Sequence, residues 1–161
     1  MSRRIVISIA RQRLWLYQDG ELVMECPVST ASNGPGERMD SECTPRGRHR
    51  ICEKIGDGQP PGAVFVGRRP TGEIWSPQLR ARHPGRDWIL TRILWLEGLE
   101  EGFNRGGKVD SRERYIYLHG TPDDTPLGLP GSRGCVRLDN RAITDLFARV
   151  EVGDEVLICE E

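Results

Sequence analysis

Lysine is nearly missing from this chain: of 23 basic residues, only Lys54 and Lys108 are not arginine. We read that bias as one of codon usage rather than of function. With 24 acidic residues the formal net charge is −1, so no general attraction to nucleic acid or to a membrane surface is implied. Long hydrophobic runs are missing too, which excludes a membrane-spanning helix. The start, "MSRRIVISIARQR", has two arginines before an apolar stretch, but Ser8 interrupts the run from Ile5 to Ala10 and "RQR" ends it. That is shorter than the roughly 7 to 15 apolar residues of a signal peptide, and no small-residue cleavage site follows. Closely paired cysteines are also lacking. Cys26, Cys43, Cys52, Cys135 and Cys159 form an odd set with no Cys-x-x-Cys, which argues against a disulfide framework or a zinc ribbon. Free thiols and no recognisable leader together lead us to expect a reducing, cytoplasmic location.

What is present fits a single domain over residues 1–161, long enough to bury a core without staples. Hydrophobic residues are 37% and charged residues 29%, with 19 Gly and 11 Pro, a loop-rich globular balance rather than a disordered one. Apolar alternation marks strands more often than helices. Ile5, Ile7 and Ile9 alternate along one segment, "RLWLY" follows, and the Asp-Gly of "QDGEL" signals a hairpin, so the N-terminal third reads as a β-meander. Further strand candidates are 63–67, 87–96, 114–119 and 154–159. One helix start is persuasive: Asp139 or Asn140 caps a segment in which Ile143, Leu146, Phe147 and Val150 recur at helical spacing, and Gly153 ends the pattern. Three polar, Gly- and Pro-rich stretches, 29–47, 67–86 and 98–113, read as long loops, the usual material of binding walls and lids.

The chemistry concentrates in "YIYLHGTPDDTPLGLPGSRGCVRLDN", residues 115–140. Strand alternation turns Ile116 and Leu118 one way and Tyr115, Tyr117 and His119 the other. If "GCVRL" is extended, Cys135 and Arg137 share a face while Val136 and Leu138 anchor the opposite one. A histidine and a cation beside a thiol favour the thiolate. Gly134 allows its own N–H and that of Cys135 to point at an oxyanion. Gly120 leaves space for substrate and offers a carbonyl to orient the imidazole. Arg137 can fork onto a carboxylate, with Arg133 adding to it. Each residue also has a plainer explanation. Lone cysteines are commonly small buried apolar residues; His49 can support a turn and His83 can be solvated. From the residues alone, Cys135 and His119 are a catalytic pair, two structural residues, or part of a zinc site with His49 or His83, for which no ligand spacing is evident.

The combination "HG" followed by "SRGCVRL", with "STASNGPG" and "TPRGRHRI" upstream, resembles the L,D-transpeptidase (YkuD-like) catalytic domain family. The likeness runs from "QRLWLYQDGELV" to "VEVGDEVLI". It implies a mainly β fold, a sandwich or meander with one or two short helices and long loops around a catalytic groove. It further implies a cysteine enzyme acting on peptidoglycan stem peptides at the bond between diaminopimelate and D-alanine. Cys135 matches the nucleophile, His119 the base and Arg137 the arginine that follows; Ser132, Arg133, Tyr117 and His49 fall at expected substrate contacts. Arg133 stands where many members carry histidine, and His49 where an aromatic residue is common. No metal or cofactor is required. The expected partner is a muropeptide stem tetrapeptide, free or sugar-linked. In a cytoplasm with water as acceptor, the reaction is that of an L,D-carboxypeptidase in wall recycling. The alternatives are a transpeptidase forming 3-3 cross-links or exchanging D-amino acids, and a non-catalytic muropeptide-binding module.

Overall fold

The computed structural model describes residues 2–161. The chain opens with the expected meander, β1 (Arg3–Ser8), β2 (Arg13–Gln18) and β3 (Glu21–Pro27). Gln18 pairs with Glu21 across Asp19 and Gly20, whose φ values of 51° and 83° make the primed two-residue turn that Asp-Gly favours. The chain continues through β4 (Gly47–Ile55), β5 (Ala63–Val66), β6 (Arg69–Ile74), α1 (Pro77–Arg82), β7 (Ile89–Gly98), β8 (Tyr117–Gly120), β9 (Val136–Leu138), α2 (Asn140–Arg149) and β10 (Glu155–Cys159). All ten strands join in one curled sheet. Its main path is β3-β2-β1-β10-β4-β7-β5-β6, and β8 and β9 branch from β7.

The helix starts as its sequence dictates: Asp139 is the N-cap, its carboxylate accepting the Ala142 N–H at 2.7 Å. Ile143, Leu146 and Phe147 then face the sheet, and α2 packs on β7 and β8. Together with Val150 they close a core containing Ile5, Ile7, Leu14, Leu16, Ile51, Leu94, Leu118, Val136 and Leu138. A smaller cluster of Ala63, Phe65, Ile93, Trp95 and Tyr117 takes side chains of alternate register, and Cys135 packs against it. Tyr117 and Leu118, neighbours on β8, therefore belong to different clusters, as a period of two requires.

The stretch 67–86 is not simply loop, because it contains β6 and α1. The helix has a legible start, with Ser76 accepting the Leu79 N–H at 3.0 Å and Pro77 in the first turn, but at six residues it shows no full apolar period. In β6, a burial pattern of almost entirely exposed residues leaves no alternation to read. β4 escaped for a related reason: only His49 and Ile51 are fully buried among its polar neighbours.

Candidate active site

β8 and β9 run parallel, pairing Leu118 with Val136, His119 with Arg137, and Gly120 with Leu138. This register puts Val136 and Leu138 in the main core and brings His119, Cys135 and Arg137 to one cavity of about 410 Å³, which Ser132, Arg133 and Tyr117 also line. A larger cleft of about 1090 Å³ lies between β3 and α2 and contains neither the cysteine nor the histidine.

The turn carrying Cys135 is held from several sides. Gly134 has φ 133°, and a Cβ there would sit 3.3 Å from the Cys43 carbonyl oxygen. Ser132 Oγ accepts the Gly134 N–H at 3.2 Å and donates to the Cys135 carbonyl at 2.5 Å. Thr44 Oγ1 donates to the Gly134 carbonyl at 2.8 Å and accepts the Ala31 N–H at 3.0 Å. The N–H groups of Gly131 and Ser132 both donate to the Thr30 carbonyl, and Ser29 and Arg137 exchange backbone hydrogen bonds. The upstream "ST" and "TP" segments thus serve as the brace of the cysteine turn.

Inside the cavity, the Cys135 thiol donates to the Tyr115 carbonyl at 3.3 Å and accepts the Tyr117 N–H at 3.3 Å. Its pKa is pushed up to about 12, chiefly by burial, against the smaller pull of the Tyr117 N–H. Desolvation therefore weighs against the thiolate that the nearby arginines favour. His119, next to last in β8, is buried, and burial holds its pKa below the ordinary value. Its Nδ1 lies 2.6 Å from the Gly120 carbonyl oxygen, which makes Nδ1 the donor and leaves Nε2 as the basic nitrogen.

Three expectations change. Gly120 does not make room for substrate: a Cβ there would fall 2.4 Å from Asn140 Oδ1 and 2.6 Å from the Leu90 carbonyl oxygen, so protein already fills the space. The Gly134 N–H, bound to Ser132, is engaged within the turn. His49 is fully buried away from the cavity, with Nδ1 3.0 Å from the Gly47 carbonyl and Nε2 2.8 Å from Ser111 Oγ. It anchors β4 to the 98–113 loop, and it lines neither this cavity nor any ligand set with Cys135 and His119.

Electrostatically the cavity is basic. Arg68, Arg114, Arg133 and Arg137 line it with one carboxylate, Asp87. Arg137 is less free than its position in sequence suggests: it donates to Gly131 O at 3.0 Å and pairs with Asp87 at 3.3 Å, while its Nε is buried without a partner among the described residues. Among the described residues Arg133 makes only a 3.3 Å bond, to the Gly85 carbonyl. Arg68, Asp87 and Arg114 were not legible as site residues. Arg68 comes from the tight turn between β5 and β6, its guanidinium 4.7 Å from the Trp95 ring and 5.0 Å from that of Tyr115, and it donates to Tyr117 Oη at 3.2 Å. Arg114 crosses to the 29–47 loop, donating to Cys43 O at 2.6 Å.

Over residues 2–158 the chain matches YkuD, the L,D-transpeptidase catalytic domain. It belongs to this family. No curated protein matches it. Among solved structures, the L,D-transpeptidase of Enterococcus faecium shares the fold at a TM-score of 0.60 and 16% identity, over 98% of this chain and 50% of its own. Bdellovibrio bacteriovorus Bd1075 gives 0.63 and 20%, over 99% and 48%. L,D-transpeptidase 3 of Mycobacterium tuberculosis, solved with a faropenem-derived adduct, gives 0.60 and 19%, over 99% and 60%. The chain thus spans between about half and three fifths of these larger proteins. No helix among the described residues of this L,D-transpeptidase domain is long and apolar enough to cross a membrane.

Proposed function

We propose that Cys135 and His119 form the acyl-transfer pair of an enzyme acting on peptidoglycan stem tetrapeptides, and that water is the principal acceptor. The observation that carries the pair is the Nδ1–Gly120 bond, which points the lone pair of His119 away from the backbone within the cavity that holds Cys135. As Sγ attacks the carbonyl at the L-centre of diaminopimelate, Nε2 takes the thiol proton and then delivers it to the departing D-alanine amine. The C–N bond breaks and a thioester remains. With the Gly134 N–H engaged, the Cys135 N–H is the donor this turn offers to the oxyanion.

Charge supports hydrolysis of that thioester. Four guanidinium groups against one carboxylate attract a peptide with free carboxylates and disfavour an incoming ammonium, whereas water is indifferent to the field. The enzyme is then an L,D-carboxypeptidase for free or sugar-linked tetrapeptides, and cell fractionation tests the cytoplasmic recycling role proposed with it. One observation favours transpeptidation instead: Asp40, Glu42 and Glu113 line a neighbouring cleft that meets the cavity at Arg114, Tyr115 and Arg133, a setting suited to an amine acceptor.

The deciding experiment is mass spectrometry of L-Ala-γ-D-Glu-meso-diaminopimelate-D-Ala incubated with the protein, with and without D-methionine. Tripeptide formed by wild type and not by Cys135→Ala supports the carboxypeptidase; dominant exchange or dimer formation gives the transpeptidase. Binding without turnover, unchanged in Cys135→Ala, would leave only a binding module.

A further inference from the structure

Behind His119, on the side away from the cavity, lies a hydrogen-bonded group that neither the family motif nor the acyl-transfer chemistry employs. Thr91 sits in β7 where its pairing with β8 is irregular, between Leu90 and Ile93, and its φ is 75°. For a β-branched residue that is a strained backbone conformation, held only when its surroundings over-determine it. The surroundings are specific. The Thr91 hydroxyl accepts the Gly62 N–H at 3.0 Å and lies 2.5 Å from Asn140 Oδ1. Asn140 turns its Nδ2 to Asp123 Oδ1 at 3.2 Å. A carboxylate accepts only, so the amide orientation is fixed, Oδ1 faces Thr91, and the hydroxyl must donate to it. The donor and acceptor of each of these three hydrogen bonds are thereby assigned.

The group ends on Gly120. The place a Cβ would take there lies 2.4 Å from Asn140 Oδ1 and 3.1 Å from Thr91 Cβ, so the two side chains bear directly on the glycine whose carbonyl binds His119 Nδ1. We propose that Thr91 and Asn140 are positioning residues that press the Gly120 peptide into register and so hold His119 in its Nδ1–H tautomer. The functional weight of this rests on His119 being the base; the geometric part does not. Removing either polar group breaks the Thr91–Asn140 bond that holds these side chains against the peptide, lets the peptide shift, lengthens the bond to Nδ1 and admits the tautomer with the proton on Nε2, which cannot accept from a thiol. A small displacement of this kind costs on the order of 10- to 100-fold in rate.

The test is the side-chain nitrogen NMR spectrum of His119 at neutral pH in wild type, Asn140→Ala, Thr91→Val and Thr91→Ser, alongside turnover of the tetrapeptide and thermal melting. Wild type is expected to show Nδ1–H alone. Asn140→Ala and Thr91→Val are expected to show a mixture and to lose kcat with little change in KM, and Thr91→Ser, which keeps the hydroxyl, restores both readouts. Wild type with the proton on Nε2 overturns the inference, as does an unchanged spectrum in both Asn140→Ala and Thr91→Val, whatever their turnover. Should one variant fail to fold, the other carries the same comparison from a different element. If wild type shows no turnover, the acyl-transfer reading fails while a mixed spectrum in the variants still upholds the positioning.

Discussion

Ser132 Oγ donates to the Cys135 carbonyl at 2.5 Å and accepts the Gly134 N–H at 3.2 Å, so one buried hydroxyl closes the cysteine turn on itself. Ser132→Ala leaves a buried N–H and a buried carbonyl without this partner, a cost of about 1–3 kcal/mol. Urea unfolding is expected to show that loss, and tripeptide formation is expected to fall about tenfold or more as the thiol loses its fixed aim. Wild-type turnover in a destabilised Ser132→Ala protein would show that the brace serves the fold alone.

Gly120→Ala tests the crowding behind the histidine. The added methyl meets Asn140 Oδ1 and the Leu90 carbonyl oxygen well inside contact distance, and overpacking of this kind costs about 1–3 kcal/mol. Because one of those neighbours is a side chain, shortening it with Asn140→Ser relieves part of the clash. Double-mutant denaturation is expected to give a coupling energy of about 0.5–3 kcal/mol. Simple additivity would mean that the backbone carbonyl alone resists the methyl.

Stability should depend on two buried imidazoles. Burial lowers the pKa of His49 to about 4, and that of His119 is lowered for the same reason. In the unfolded chain both titrate near 6.5. The contribution of His49 is thus complete above that value and is lost as the pH falls toward 4, where the unfolded chain binds protons that the folded one refuses, and that of His119 runs in the same direction. For His49 the loss approaches about 3 kcal/mol. Urea midpoints of wild type should drop between pH 7 and 4.5, and His49→Gln should flatten part of that slope. Parallel curves for the two proteins would remove His49 from the account.

Reactivity at the thiol should rise with pH. With the Cys135 pKa pushed up to about 12, peptide-resolved alkylation of the free enzyme by iodoacetamide is expected to be slow at pH 7 and to climb about tenfold per unit through pH 9. Turnover should behave differently. Burial lowers the pKa of His119, so kcat/KM is expected to be level at pH 7 and to decline only on the acid side of the ordinary imidazole range. Alkylation at a constant, fast rate from pH 6 upward would show a standing thiolate and shift the role of His119 to its imidazolium form.

Much of this architecture can be read from the chain, and the parts that cannot have a common physical cause. The Asp-Gly turn, the Asp139 cap and the alternation through Ile116, Tyr117 and Leu118 are local rules, and each holds in the fold. The family is legible along nearly the whole chain, and the placement of Cys135 and His119 in one cavity accords with a motif of short span. What escapes reading depends on partners far along the chain. Arg68, 67 residues before Cys135 in sequence, enters the site because a hairpin folds over Trp95. His49 lies beside a motif but turns inward because Ser111 waits for it across 62 residues. Gly120 is recognisable as obligatory, yet the reason is a side chain from α2 rather than a substrate. Charge signs and residue types carry no information about such distances, so desolvation of Cys135, decided by everything packed around it, was invisible as well.

The place of β10 in the sheet also governs how the protein is made. The last strand of the chain lies between β1, to which it runs parallel, and β4, to which it is antiparallel. Residues as far apart as Ile5 and Val156 are direct partners. Without β10 the strand order leaves the N-terminal meander and the remainder of the sheet with no shared strand, each with an open edge. Such late, long-range closure slows folding and leaves apolar edges open to other chains in the interval.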